Sequence, residues 1–225
     1  MGEALRAGTP VEGLYVAPGG FGSAVVEQAR AAGIRVFGLG PQVLERVTDT
    51  VTPQPVLAVA ALVDQPIDAL AGAANLLVCV DVRDPGNLGT ILRTAEAAGM
   101  GGVICCEGTV DVYNPKCVRA SAGSVFHVRL VAGGDPVEVL EQVGAWRMRR
   151  LGTAAGRGVP YADVAFDQPA AIILGNEAHG LSESVSGLVD EWVTIPMVGR
   201  SESLNVGMAA AVLSFEAARQ RLRGS

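Results

Sequence analysis

Lysine is nearly absent from this chain. Lys116 is the only one among 17 basic residues, and the rest are arginine. Acidic residues number 23, so the net charge is -6. A general nucleic-acid coat works through clustered Lys and Arg, and an acidic chain with one lysine is not of that kind. A local arginine group remains available for RNA, either Arg147, Arg149 and Arg150 or the tail residues Arg219, Arg221 and Arg223. Taken alone, each group reads as a solvated helix face. Charged residues are scarce at 18%, while apolar ones make up 49%. Disorder needs the reverse balance and is excluded. No apolar run approaches the ~18 residues of a membrane span, and the N-terminus lacks a basic-then-apolar signal segment. A cytoplasmic protein with no membrane partner is expected.

Paired cysteines and histidines are equally short. Cys79, Cys105, Cys106 and Cys117 form no C-x-x-C pair, and His127 and His179 are the only histidines. Free buried thiols in a reducing compartment follow, and no metal site is expected. There is also no G-x-x-x-x-G-K-[ST] loop, and no G-x-G-x-x-G follows the first long strand, so an ordinary nucleotide held by a standard glycine-rich loop is excluded. What is abundant is glycine, 29 residues without a collagen period, which signals many tight turns.

The first sixty or so residues read as a small α/β unit. Leu14–Ala17 is a strand, Ser23–Ala32 a helix ended by Gly33, Val36–Leu39 a second strand, and a short helix runs through Leu44. Thr52-Pro53-Gln54-Pro55 breaks the chain before the apolar run Val56–Val63. Residues 64–74 read as a linker or short helix. From Asn75 the strands become longer and wholly apolar: Leu76–Val82, Val103–Cys106, Ala170–Leu174 and Trp192–Ile195. Such runs mark a parallel sheet covered on both faces. Helical stripes alternate with them, Leu88, Ile91, Leu92 and Ala95 in one, and Val206, Ala209, Ala210, Leu213 and Ala217 in another. The fold class is α/β with a mostly parallel sheet. The expected division is 1–63, a linker 64–74, and a larger domain 75–225.

Ligands of open α/β sheets bind beyond the carboxyl ends of the strands. Three loops at such places are rich in small and polar residues: Asp81–Gly89, Leu174–Leu181 and Ile195–Asn205. Each alone is explained by turn and cap chemistry, with Asp84 or Asn87 capping one helix and Ser203 or Asn205 another. Together they outline a site.

These segments resemble, in order and spacing, the three motifs of the SpoU (TrmH-like) family of S-adenosylmethionine-dependent RNA ribose 2'-O-methyltransferases. Asn87, Gly89, Arg93, Thr94 and Ala95 match the first; Leu174, Gly175, Asn176, Glu177, Gly180 and Leu181 the second; Ile195, Pro196, Met197, Ser203, Leu204, Asn205 and Val206 the third. The stretch from Pro115-Lys116 through Arg119 to Ser124 is similar to the family's middle segment. The first sixty or so residues resemble the ribosomal-protein-like substrate-binding domain of many members, truncated at its start, with Thr52-Pro53-Gln54-Pro55 where Thr-Pro-Gln-Gly is usual.

The resemblance implies a deep trefoil knot in the C-terminal part and a bent S-adenosylmethionine held within it largely by main chain, with no metal. Carried across, the donor contacts are Gly175, Ile195, Met197 and Leu204, with Glu107, Gly108 and Thr109 as a fourth segment. A β-branched side chain at Gly175 is expected to intrude on the donor. The functional side chains are Arg93, Asn87, Glu177, Ser203 and Asn205. Family members are homodimers through the knotted domain, with an RNA site built from both subunits. The implied substrate is RNA, 23S rRNA ahead of tRNA. Two other readings stand beside it: a non-catalytic RNA-binding or ribosome-assembly protein that keeps the fold, and methylation of a base nitrogen. No histidine or carboxylate presents itself as the base that removes the hydroxyl proton. Arg93 is expected outside the buried stripe of its helix, gripping phosphate and ribose. The plain alternative is a solvated arginine paired with Glu96.

Overall fold

The computed structural model describes residues 1–48 and 54–224, which fall into two compact units, Met1–Val63 and Asp64–Ser225. The Thr52-Pro53 part of the expected break lies outside the described residues. The first unit runs α1 (Gly2–Arg6), β1 (Val11–Val16), α2 (Ala24–Ala31), β2 (Val36–Gly38), α3 (Val43–Val47) and β3 (Val56–Ala60). Its three-stranded sheet has the order β2-β1-β3, parallel on one side of β1 and antiparallel on the other. Leu14 and Val16 bury against Val26 and Ala29 of α2. Gly33, at φ +72°, ends α2: its N–H donates to Arg30 O at 3.0 Å, and Ile34 N donates to Ala29 O at 2.9 Å. That pair of bonds satisfies two carbonyls that the helix end leaves free.

The second unit runs β4 (Asn75–Cys79), α4 (Pro85–Ala97), β5 (Gly102–Cys105), α5 (Pro115–Ala120), β6 (Leu130–Ala132), α6 (Pro136–Ala145), β7 (Arg149–Thr153), β8 (Val159–Pro160), β9 (Ala170–Leu174), α7 (Glu183–Ser186), β10 (Glu191–Thr194) and α8 (Val206–Gly224). All seven strands are parallel, in the order β6-β5-β4-β9-β7-β10-β8. The central pair β4 and β9 is buried at every position. The helices α4, α5 and α6 each begin with Pro after Asp84, Asn114 or Asp135, and each of those side chains accepts a hydrogen bond from the first turn. Proline fits the first turn because the missing N–H would find no partner there anyway.

Three readings change. Residues 64–74 do not stand apart as a linker. Gln65 N donates to Leu130 O at 2.8 Å, Tyr113 Oη bonds Asp64, and Leu70, in a 3-10 turn, is fully buried in the larger core. The strands β6, β7 and β8 escape a reading based on long apolar runs, because β7 opens with two arginines and the other two are short. Arg149 and Arg150 therefore lie in a strand and not on a helix face. Arg149 pairs with Glu191, and Arg150 holds Asp190 through two bonds of 2.7 and 3.0 Å. Arg219 pairs with Glu216, and Arg221 donates to Ala98 O and Gly99 O at the end of α4.

All four cysteines are buried and free. Burial pushes the thiols of Cys106 and Cys117 up to about 12, and a hydrogen bond with Cys105 raises that of Cys79. Cys79, Cys106 and Cys117 therefore stay protonated and unreactive near neutral pH. Among the described residues, no three His, Cys, Asp or Glu side chains gather as a metal site, and no helix is long and apolar enough to cross a membrane.

Candidate active site

Strand order decides which loops meet. The neighbours β4, β9, β7 and β10 present their carboxyl ends side by side, so the segments following them share one edge of the sheet. After β4 the chain turns through Asp81, held at φ +57°, and enters α4. Asp84 caps that helix: its Oδ1 accepts from Asn87 N at 2.9 Å, and its Oδ2 accepts from Lys116 Nζ at 3.0 Å. The Lys116 ammonium, followed by the Asn87 N–H, holds the Asp84 carboxyl below its usual range. Gly89 lets α4 and α5 touch, since a Cβ there would lie 2.5 Å from Ala120 Cβ and 2.6 Å from Cys117 O.

After β9, residues 176–180 close into a loop. Asn176 and Gly180 exchange backbone hydrogen bonds of 3.1 and 2.9 Å, while Asn176 Oδ1 accepts from Ala178 N and His179 N. Asn176 Nδ2 donates to Asp81 O and Oδ2 at 3.1 and 3.0 Å, tying this loop to the one after β4. A Cβ at Gly175 would lie 2.8 Å from Gly180 C and 2.8 Å from Leu181 Cδ2, so a larger residue there strikes the protein's own loop.

The third segment completes the edge. Asn205 Oδ1 accepts from Gly207 N at 2.8 Å and Met208 N at 3.4 Å, capping α8. That cap turns its amide NH2 outward, where Nδ2 donates to Asn87 Oδ1 at 2.7 Å. The Asn87 Nδ2 donates in turn to Glu177 Oε1 at 2.8 Å. Three side chains from three distant segments thus form one directed chain ending on a carboxylate. Its polarity is set by the helix cap, because only an oxygen can accept from the α8 amides.

A cleft of about 470 Å³ opens beside this chain. Gly175, Glu177, Ile195, Met197, Ser203 and Leu204 line it. Asn87 and Asn205 are joined to it through Glu177 and do not line it themselves. Glu107, Gly108 and Thr109 do not line it either. They pack beside β4, where Thr109 Oγ1 donates to Cys79 O at 3.1 Å. Arg93 is outside the lining, exposed on α4, and forms no pair with Glu96 or any other described residue. Residues the sequence did not single out for the site complete the walls: Thr153 at the end of β7, Ala154 and Ala155 after it, Arg157, Trp192, and Leu213 of α8. The Arg157 guanidinium lies 3.8 Å from the Trp192 ring centroid, a close cation–π contact. No sequence signal joined these two residues, since Arg157 and Trp192 meet only through the pairing of β10 with β7 and β8. The cleft also gathers proton acceptors that no reading of the sequence had brought together, Glu177, His179 and Glu202.

A pocket of this size, with apolar walls from Ile195, Met197, Leu204 and Leu213 and polar groups from Glu177, His179, Glu202 and Ser203, suits a small organic cofactor that carries both apolar and polar parts. A parallel α/β sheet bearing such a cleft at its carboxyl edge belongs to the class of α/β enzymes that bind a small-molecule ligand beyond the ends of their strands. The AdoMet-bound SpoU methyltransferase AviRb from Streptomyces viridochromogenes superposes with a TM-score of 0.85 at 32% identity, over 99% of this chain and 88% of that one. The chain belongs to the SpoU rRNA methylase family, which it matches over residues 74–215, while residues 2–66 match the family of RNA 2'-O ribose methyltransferase substrate-binding domains. With that family it is an S-adenosylmethionine-dependent RNA ribose 2'-O-methyltransferase. It is 38% identical over 183 residues to the 23S rRNA (guanosine(2553)-2'-O)-methyltransferase RlmP of Bacillus subtilis, covering 81% of this chain and 72% of that protein. It is 41% identical over 145 residues to a 23S rRNA (uridine(2479)-2'-O)-methyltransferase of Streptomyces viridochromogenes, covering 62% of this chain and half of that protein.

Proposed function

We propose that the protein methylates a ribose 2'-hydroxyl of large-subunit rRNA, with the donor in the cleft lined by Gly175, Ile195, Met197 and Leu204. The observation that carries this reading is the Asn205–Asn87–Glu177 chain at the mouth of the cleft, which joins all three sequence motifs. Both relatives named above act on 23S rRNA, which favours rRNA over tRNA. The donor supplies the methyl group; the protein's part is to hold the acceptor hydroxyl close and in line, which accounts for much of such a rate enhancement. Ser203 lines the cleft with a hydroxyl that bonds no described residue, and in this reading it contacts the ribose. Arg93, exposed and unpaired, takes the phosphate or ribose of the target. A guanidinium keeps its proton at neutral pH, so Arg93 grips charge and does not serve as the base.

The working form in this reading is a homodimer, with the segment between β9 and α8 following the knotted path of the family. Met208, Phe215 and Leu222 recur every seventh residue along α8 and are 62%, 52% and 81% exposed. An apolar stripe at that spacing suits a second copy of the same helix.

The deciding experiment is single-turnover methylation of a 23S rRNA transcript by wild type, Arg93→Ala and Arg93→Lys. Loss of a charge-assisted contact made to the reacting ribose is expected to cost about 10²–10³-fold in rate, with donor affinity and melting temperature kept. Lysine is expected to rescue poorly, because a point charge cannot reproduce the planar fork. A near-normal rate in the alanine variant would overturn the role of Arg93, and a 23S transcript that accepts no 2'-O-methyl group would overturn the substrate.

A further inference from the structure

The sheet of the first unit has two unlike faces. Leu14, Val16, Val36, Val56 and Ala58 turn towards α2 and its core. Strand alternation then puts Gly13, Tyr15, Phe37, Leu57 and Val59 on the opposite face. There Tyr15 and Phe37, register partners in parallel strands, stack with centroids 5.2 Å apart and planes 21° apart. Gly13 leaves them room, since a Cβ would come within 3.1 Å of the Phe37 ring and 3.6 Å of the Tyr15 ring. Because β2 is an edge strand, Phe37 is the outer ring of the pair, and it is 40% exposed. Arg35 reaches the same ring, its guanidinium carbon 5.8 Å from the centroid. Arg6 and Arg30 of this unit pair with Glu3 and Glu27, whereas Arg35 has no carboxylate partner among the described residues.

We propose that this face is a platform on which an unpaired RNA base stacks against the Tyr15–Phe37 pair, with Arg35 contacting the adjoining phosphate. The proposal rests on the reading of the protein as an RNA-modifying enzyme, and it assigns the first unit's contact to named side chains. Two observations favour RNA over a protein partner. A guanidinium with no carboxylate partner among the described residues, lying over the half-exposed Phe37 ring, complements phosphate, and the stacked pair beneath it offers an aromatic surface of the kind on which a base stacks. The substrate-binding family match over residues 2–66 covers the whole platform.

The test uses the full chain with saturating donor and a 23S rRNA transcript, comparing Phe37→Ala, Phe37→Leu, Phe37→Trp and Arg35→Gln. Alanine and leucine at position 37 are expected to raise KM for the transcript about 5- to 100-fold, the range that loss of base–aromatic stacking gives, with kcat and donor affinity unchanged. Tryptophan is expected to restore KM, and its emission is expected to be quenched by a short oligouridine. Arg35→Gln is expected to raise KM and weaken its dependence on salt. Leucine performing as well as phenylalanine, or a change of oligomeric state in the alanine variant, would show an apolar protein contact and overturn the proposal. The quench is read without any turnover, so a transcript that is not methylated counts against the substrate assignment, while an unquenched tryptophan counts against the platform.

Discussion

Replacing Asn87 by aspartate sets a second carboxylate against Glu177 at the mouth of the cleft. The wild-type amide donates to Glu177 Oε1 at 2.8 Å and accepts from Asn205 Nδ2 at 2.7 Å. Aspartate keeps the second bond and turns the first into a like-charge contact. At 2.8 Å two unit charges repel by about 1.5 kcal/mol in water and about 6 kcal/mol at an effective dielectric of 20. Glu177 is exposed and Asn87 half-buried, so the watery value governs. Asn87→Ala is the control: it removes both bonds without adding charge, and water replaces them at a cost under about 1 kcal/mol. At pH 8 and low salt the aspartate variant is therefore expected to be less stable than the alanine variant by about 1–1.5 kcal/mol, or roughly 2–6 °C in melting temperature.

Acid should relieve the difference. In the folded variant the carboxyl pair takes up a proton more readily than in the unfolded chain, so the folded pKa is raised. The penalty is then full above that raised value and gone below the unfolded carboxylate range of ~4. Strong salt should also reduce the difference at pH 8, because the Debye length falls to about 3 Å at 1 M. Melting curves of both variants at pH 8 and at about pH 4, with and without salt, decide the matter. If the two variants melt together at pH 8, Asn87 and Glu177 are not neighbours in solution, and the chain that joins the three motifs does not exist.

Four further outcomes follow from the geometry. Gly89→Ala should gain about 1 kcal/mol of helix propensity yet be destabilised overall by about 1–3 kcal/mol in denaturant melts, because its Cβ would press on Cys117 O and Ser121 N of α5; a stabilised variant would refute that contact. Gly175→Val should lose donor affinity through failure of the 176–180 loop to close, so hydrogen exchange at Asn176 and Gly180 should speed up with it; affinity lost without faster exchange would put the side chain in the ligand instead. Asp190, held below its usual range by the Arg150 hydrogen bonds, should contribute about 1 kcal/mol or less at pH 7 that fades as pH falls through its depressed value; Asp190→Asn should therefore approach wild type on acidification, and a difference that widened instead would contradict the sign. Phe215→Glu should halve the particle mass in solution if α8 meets a second copy, and an unchanged mass would remove α8 from the interface.

Local rules carried the sequence a long way. The apolar runs at Leu76 and Ala170 are the central strands β4 and β9, since only residues covered on both faces stay wholly apolar. The residue before each helix-starting proline is the cap, because Asp84, Asn114 and Asp135 need only their own backbone neighbours to serve. The strands β6, β7 and β8 were hidden because their pairing, and not their composition, makes them strands. Arg149 and Arg150 are held in β7 by Glu191 and Asp190, some forty residues away.

The candidate site divides along the same line. Candidates for it could be named one loop at a time, through turn chemistry and the resemblance of three motifs, and of these Gly175, Glu177, Ile195, Met197, Ser203 and Leu204 line the cleft. How they meet was decided by strand order. Placing β9 beside β4 and β10 beside β7 brings Asn87, Glu177 and Asn205, separated by 90 and 118 residues from Asn87, within hydrogen-bond reach. The same order leaves Glu107–Thr109 off the cleft and gives a wall to Arg157 and Trp192. Sequence alone marked the helices α2, α4 and α8 and the caps at Asp84 and Asn205, because those depend on interactions spanning a few positions. The meeting of the three loops and the direction of the hydrogen bonds between them belong to the tertiary structure, because backbone pairing across the sheet sets distances that no local preference contains.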